Sequence, residues 1–254
     1  MDEILLQIRA RARQIVATYP QQLFYRENDQ AVQQSCRAFH EDPVLQRLRT
    51  FVDQKMIDNM GHGMDHAVKV TLDAGALMII EGGQAGYEKS HVKRAVFLVQ
   101  CAGLLHDVKR SEKHHAEKGA AFVRETLGSW NSFTPSEVTC IACAIQNHEA
   151  FTKQQPSKHR EDRLISNCLY DADKFRWGPD NFKYTVWDML ESAGVSFSSF
   201  VHHYPKGILA LEKIRTSFRT ATGRKYGPQF IDTGLAIGRE LYEVIQHEFF
   251  EIRT

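Results

Sequence analysis

Apolar residues recur along this chain at helical spacing almost throughout, and period-two alternation is hard to find. Residues 3–18 set Ile4, Leu5, Ile8, Ile15 and Val16 on one broad face, ending before Tyr19-Pro20. Asp42-Pro43 reads as an N-cap followed by proline at the first helical position, opening a helix with Val44, Leu45, Leu48, Phe51 and Val52 inward. After Gly61-His62-Gly63 a helix is predicted to run to Glu81, with Gly82-Gly83 as its stop. Ser90 is placed to cap the next one, which passes through Val92, Val96 and Val99 to Leu105. Thr134-Pro135-Ser136-Glu137 matches a capping box, and the helix behind it carries Val138, Ile141, Ile145 and His148 on one stripe. Residues 161–177, 207–218 and 232–252 give further helical segments. Gly178-Pro179-Asp180 is the best candidate break and reads as a loop within one domain. The expectation is an all-α fold in a single domain, residues 1–254.

Composition adds limits more than content. The 254 residues carry 32 Lys+Arg against 31 Asp+Glu, which argues against a dedicated nucleic-acid binder but leaves room for a local basic pocket. The longest strongly apolar run, Ala95 to Leu105, is broken by Gln100 and falls well short of the ~20 residues that span a bilayer. The acidic start Met1-Asp2-Glu3 does not resemble a secretory signal, and the five cysteines form no disulfide framework. A reduced cytoplasmic protein without a membrane partner is expected. Cys140-Ile-Ala-Cys143 sits inside an apolar helix and reads as core rather than as a redox pair.

The chemistry lies in where a few of the twelve histidines stand. His106-Asp107 closes the apolar segment Cys101-Ala-Gly-Leu-Leu, so two strongly hydrated groups follow a helix that should be buried. An unpartnered buried carboxylate is costly, and a metal ion is one good partner. Taken alone, the dipeptide also fits a helix C-terminus with a solvated Asp. Three other segments shift that balance. His66 lies on the face continued by Val70, Ala74 and Leu77; His148 follows Ile145 on its stripe; Asp173 neighbours the face of Ile165, Leu169 and Ala172. Three His and two Asp turned toward one interior are best explained by a shared ion.

The ordered set His66, then Leu104-Leu105-His106-Asp107, then Asp173 in Asp171-Ala-Asp-Lys-Phe resembles the HD superfamily of metal-dependent phosphohydrolases over roughly residues 55–180. The resemblance implies an HD-domain helical bundle with additional N- and C-terminal helices, residues 181–254 packing on the core. It also implies metal ligands at His66, His106, Asp107 and Asp173, with His62 competing for the first place and Asp171 for the last. Branches that hold two metals take further histidines, for which His115 (or His114) and His148 stand in similar segments. The Gly-Tyr-Pro extension of the cyclic-dinucleotide phosphodiesterase branch has no counterpart. One or two divalent ions (Mn, Mg, Fe, Co, Ni or Zn) are implied, with a small phosphorylated substrate, nucleotides among the candidates, and water as the attacking group.

Basic residues trail the ligand positions: Lys69, Lys109 and Arg110, Lys174 and Arg176. With Asp107 at the metal, Lys109 and Lys174 are the foremost candidates for catalytic contacts to phosphate. Trp177, Tyr184 and Trp187 either wall a base or sugar pocket or pack on the C-terminal helices. No P-loop, dinucleotide-binding loop or nucleophile elbow is present. Two other classes remain: a di-iron oxygenase on the same fold, which requires all six ligands, and a non-catalytic metal-binding helical module.

Overall fold

A computed structural model describes residues 3–56, 63–157 and 159–250, and every regular element among them is helical. The elements are α1 (Glu3–Thr18), α2 (Leu23–Glu27), α3 (Asp29–Glu41), α4 (Pro43–Met56), α5 (Met64–Gln84), α6 (Lys89–Leu105), α7 (His115–Gly128), α8 (Pro135–Gln146) and α9 (Arg160–Phe175). A π-helical turn (Asn181–Thr185) follows, then α10 (Val186–Ser192), α11 (Phe197–Ile214), α12 (Ala221–Val244) and a second π-helical run (Ile245–Phe250). The chain is all-α, as its periodicity predicts. Among the described residues no helix is long and apolar enough to cross a membrane.

The chain separates into two compact units. One comprises Phe24–Asp173 with Phe218–Lys225; the other comprises Met1–Leu23, Lys174–Ser217 and Tyr226–Thr254. In the second, α1 buries Leu5, Ile8, Ala12 and Ile15 and packs on the first π-helical turn, while Arg9 pairs with Asp188 at 3.0 Å.

The first unit is organised by two antiparallel helix hairpins. In the hairpin of α5 and α6, close approach is set by small residues. A Cβ added at Gly103 would lie 2.7 Å from the Thr71 Cα, and one at Gly75 would lie 2.2 Å from the Ser35 Oγ of α3. Gly82 faces Val92 near the closed end. Since α5 and α6 run in opposite directions, the rungs Gly82–Val92, Gly75–Gln100 and Thr71–Gly103 lead in register to the start of α5 and the end of α6. The next rung is His66 and His106. The hairpin of α7 and α8 repeats the arrangement: Gly119 approaches Ile145, and the start of α7 (His115) meets the end of α8, just before His148. α6 packs on α8, so both open ends fall together.

The helix termini follow local chemistry, with corrections to the sequence reading. Asp42 caps α4, its carboxylate accepting from Val44 N (2.8 Å) and Leu45 N (3.1 Å). The capping box at Thr134 is formed in both directions: Thr134 Oγ1 accepts from Glu137 N, and Glu137 Oε2 accepts from Thr134 N. The expected stop at Gly82-Gly83 is wrong: α5 runs through both glycines to Gln84. Gly86, at φ +73°, supplies the left-handed residue instead, with Gly86 N donating to Gly83 O and Tyr87 N to Gly82 O. That pattern is a Schellman motif, and Gly82 serves packing rather than termination. Glu88, not Ser90, occupies the N-cap position of α6. The helices expected at 207–218 and 232–252 begin about ten residues earlier, as α11 and α12, with Pro205 and Pro228 inside them. Ser196 caps α11, and the aromatic stripe Phe197, Phe200, Tyr204 behind it is buried, which outweighs the proline.

Glu137 also receives Arg94 from α6, with Nε–Oε1 at 2.6 Å and Nη2–Oε2 at 2.9 Å. The Arg94 guanidinium and the Thr134 backbone N–H hold the Glu137 carboxyl down at about 2, against the opposing effect of burial. A carboxyl depressed in the folded state stabilises the fold above its ordinary range. Thr134→Ala is therefore expected to cost about 1 kcal/mol at neutral pH. In wild type, the Glu137 contribution relative to Glu137→Gln should disappear as pH falls from ordinary carboxylate values toward 2, read by denaturant melts at stepped pH.

Candidate metal centre

Six side chains from five segments meet where the two hairpins open. His66 comes from the first turn of α5, His106 is the C-cap of α6, and Asp107 follows it. His115 begins α7, His148 lies two residues beyond the end of α8, and Asp173 lies near the end of α9. His148 is thus not on the α8 stripe as its spacing suggested. It occupies the turn after the Asn147 C-cap and remains almost fully buried.

Two groups of donors result. His66 Nε2 lies 3.2 Å from His106 Nε2 and 3.3 Å from Asp173 Oδ1, and His106 Nε2 lies 3.7 Å from that oxygen. His115 Nε2 and His148 Nε2 are 3.3 Å apart, and each approaches Asp107 Oδ1, at 3.5 and 3.4 Å respectively. Asp107 joins the groups: its Oδ2 stands 3.5 Å from His106 Nε2 and 3.9 Å from His66 Nε2. One carboxylate therefore presents an oxygen to each group.

Backbone carbonyls decide which ring nitrogen each histidine turns toward the cluster. The Nδ1–H of His106 donates to Gly103 O at 2.7 Å, and the Nδ1–H of His148 donates to Ile145 O at 2.6 Å. Each ring is fixed by a carbonyl three residues back, which turns its Nε2 into the cluster. His115 Nδ1 faces Glu149 Oε1 at 3.2 Å, which turns its Nε2 into the cluster as well. Burial pushes the His106 imidazole down to about 4, so it is neutral at physiological pH. Burial opposes charge on Asp107 too, yet the His106 and His148 imidazoles and the Arg110 guanidinium hold its carboxyl well below the usual range.

Around Asp107 Oδ1, then, two imidazole Nε2 atoms and a carboxylate oxygen converge within 3.5 Å of one another. A positive charge at their centre makes that arrangement favourable, and Arg110 reaches it only from the side, through contacts of 3.4 and 3.5 Å. Donors around a metal at ~2.1 Å sit ~3.0–3.4 Å from one another on adjacent octahedral or tetrahedral positions, and within each group the donors here lie 3.2–3.7 Å apart. Both groups can hold a metal ion.

The structure also discriminates between the alternatives. Asp171 does not join the cluster. Two residues along a helix turn a side chain through ~200°, and Asp171 is buried against residues 219–220, accepting from Arg219 N (2.8 Å) and Thr220 N (2.7 Å). Burial pushes its carboxyl up to about 6 despite those bonds. His114 is exposed at φ +60° outside the first turn of α7. His62 lies outside the described residues.

Of the basic residues, Lys109 points away from the cluster, with Nζ 3.1 Å from Glu112 and 5.4 Å from the Phe122 ring centroid. Lys174 is buried, and Arg176 is paired with Asp180. Arg110 is a cation that does reach the site, half-exposed, its Nη1 3.5 Å from Asp107 Oδ1 and 3.4 Å from His115 Nε2. Sequence reasoning had it only as one of several basic neighbours and did not find Glu149. Arg219 was missed altogether. Its guanidinium lies 3.4 Å above the Tyr170 ring and donates to Asn147 O at 2.8 Å, fixing the turn that carries His148. Cys140 is buried, and burial pushes its thiol up, as a core cysteine requires. No family model matches the chain, and no curated protein or solved structure matches it.

Proposed function

We propose that this protein is a metal-dependent phosphohydrolase of the HD type, acting on a phosphate ester or anhydride of a small phosphorylated molecule. The observation that carries the reading is Asp107, whose two oxygens each face a separate set of imidazole donors. His66, His106 and Asp173, with Asp107 Oδ2, would hold one divalent ion; His115 and His148, with Oδ1, would hold a second. Four imidazoles favour a borderline transition ion such as Fe, Mn, Co, Ni or Zn over Mg. Such ions lower the pKa of a bound water and offset phosphoryl charge in the transition state.

The chain's own residues supply the rest. Gly103 O and Ile145 O lock the rings of His106 and His148, and Glu149 orients His115, so the donors need little reorganisation. Arg110 is half-exposed and held only by long contacts, which leaves its fork free to take phosphoryl oxygens in a bidentate pair. Asp107 stays ionised across the physiological range and keeps the site's charge balanced against the cations it gathers.

Metal-stripped protein reloaded with each candidate ion in turn and given a panel of phosphate esters and nucleotides tests the reading. Phosphate release that requires metal is expected. Arg110→Ala should raise KM about tenfold while metal content stays unchanged. Absence of release with every ion would contradict the reading. A di-iron oxygenase is the second reading, favoured by the assembly of all six donors that it needs. Iron in the isolated protein, substrate-dependent O₂ uptake and no phosphate release would select it.

A further inference from the structure

The metal cluster is built for a cation and an anion. The second unit contains a cavity of opposite chemistry, about 300 Å³ in volume. Its walls come from the segment 177–190, which includes the first π-helical turn, and from 195–211, which includes most of α11. Trp177, Phe182, Leu190, Phe200 and Leu211 give it an apolar surface, and no Asp, Glu, Lys or Arg stands among its described lining residues. It is open to solvent on one side, and a concave, mainly apolar space with a few polar groups is the form that small-molecule sites take.

Asn181 distinguishes the cavity from a defect in the core. It is 8% exposed and lines the cavity, and its carboxamide has no hydrogen-bond partner among the described residues. The amide is not sealed from solvent, so it is available to hydrogen-bond a molecule that enters the cavity. Asn181 also opens the π-helical turn Asn181–Thr185, a rare widening of the helix found mostly at functional positions. Across the cavity, His203 Nδ1–H donates to Ser199 O at 2.8 Å, leaving Nε2 as an acceptor at the rim.

We infer that this cavity binds a neutral, mainly apolar small molecule, aromatic or branched-aliphatic, carrying one hydrogen-bonding group that Asn181 receives. A phosphorylated compound would find no cation there, so the ligand differs in class from the substrate proposed for the metal centre. The inference is independent of that centre and survives its failure.

Indole and indene, nearly equal in shape but differing in the N–H donor, test it by titration calorimetry on the full chain. Indole should bind saturably at one site per chain, and indene about tenfold more weakly. Asn181→Leu should bring the two to equal affinity. Ser199→Phe, which puts a ring into the cavity, should abolish both, with circular dichroism reporting the fold. Failure of both compounds to bind wild type would overturn the inference, as would equal affinities in wild type or full binding by a folded Ser199→Phe. If that variant does not fold, the comparison of indole with indene in wild type decides alone.

Discussion

Asp107→Ala is expected to reduce metal content in both halves of the cluster and to lower metal-dependent phosphate release at least about a hundredfold. The reason is geometric. Other donors serve one group each, whereas Asp107 lies within 3.9 Å of His66, His106, His115 and His148. It is also a nearly buried carboxylate, with 13% side-chain exposure, whose ionised form is favoured by the facing imidazoles and the Arg110 guanidinium. The metal-free variant should therefore melt somewhat below the wild-type temperature while keeping its helix content and a cooperative transition, and circular dichroism then separates loss of the site from loss of the fold. Asp107→Asn should be intermediate, since its carboxamide keeps one acceptor oxygen. Elemental analysis and phosphate assays on wild type and both variants check the order. Equal metal content in wild type and Asp107→Ala would remove Asp107 from the site.

The second large effect is on the scaffold. Gly103→Ala adds a Cβ 2.7 Å from both the Cα and the Oγ1 of Thr71, and a backbone atom cannot swing aside as a side-chain tip can. Overpacking of this kind costs about 1–3 kcal/mol. For a chain of this size that corresponds to a fall in Tm of about 2–12 °C. The strain falls one rung from His66 and His106, so metal affinity should drop as well, although neither ligand is altered. Gly83→Ala is the control: a Cβ there meets nothing within 4 Å, and alanine favours a helix interior, so stability should rise by about 0.5–1 kcal/mol. Calorimetric melts of both variants, with and without metal, test the pair.

Much of this was legible along the chain because it depends on near neighbours. The caps at Asp42 and Thr134 and the inward faces around His66, His106 and Asp173 are set by residues within a turn or two. What was not legible depends on groups distant in sequence. Asp171 and Asp173 are equivalent by local pattern, and only the arrival of Arg219 and Thr220 assigns the first to a backbone clasp and leaves the second to the cluster. Gly82 looks like a stop because its packing partner, Val92, comes from the next helix. Arg110 and Lys109 are adjacent, and Glu112 rather than any sequence motif draws Lys109 away. Pro205 and Pro228 mimic helix breaks, yet α11 and α12 continue through them because the buried residues on either side hold the helix.

The convergence of donors on Asp107 can be observed directly by crystallography of metal-loaded protein, with anomalous scattering recorded at the edge of the added ion. The account predicts two peaks flanking the Asp107 carboxylate, one among His66, His106 and Asp173 and the other between His115 and His148. Metal-loaded crystals with no anomalous density beside Asp107 would contradict it.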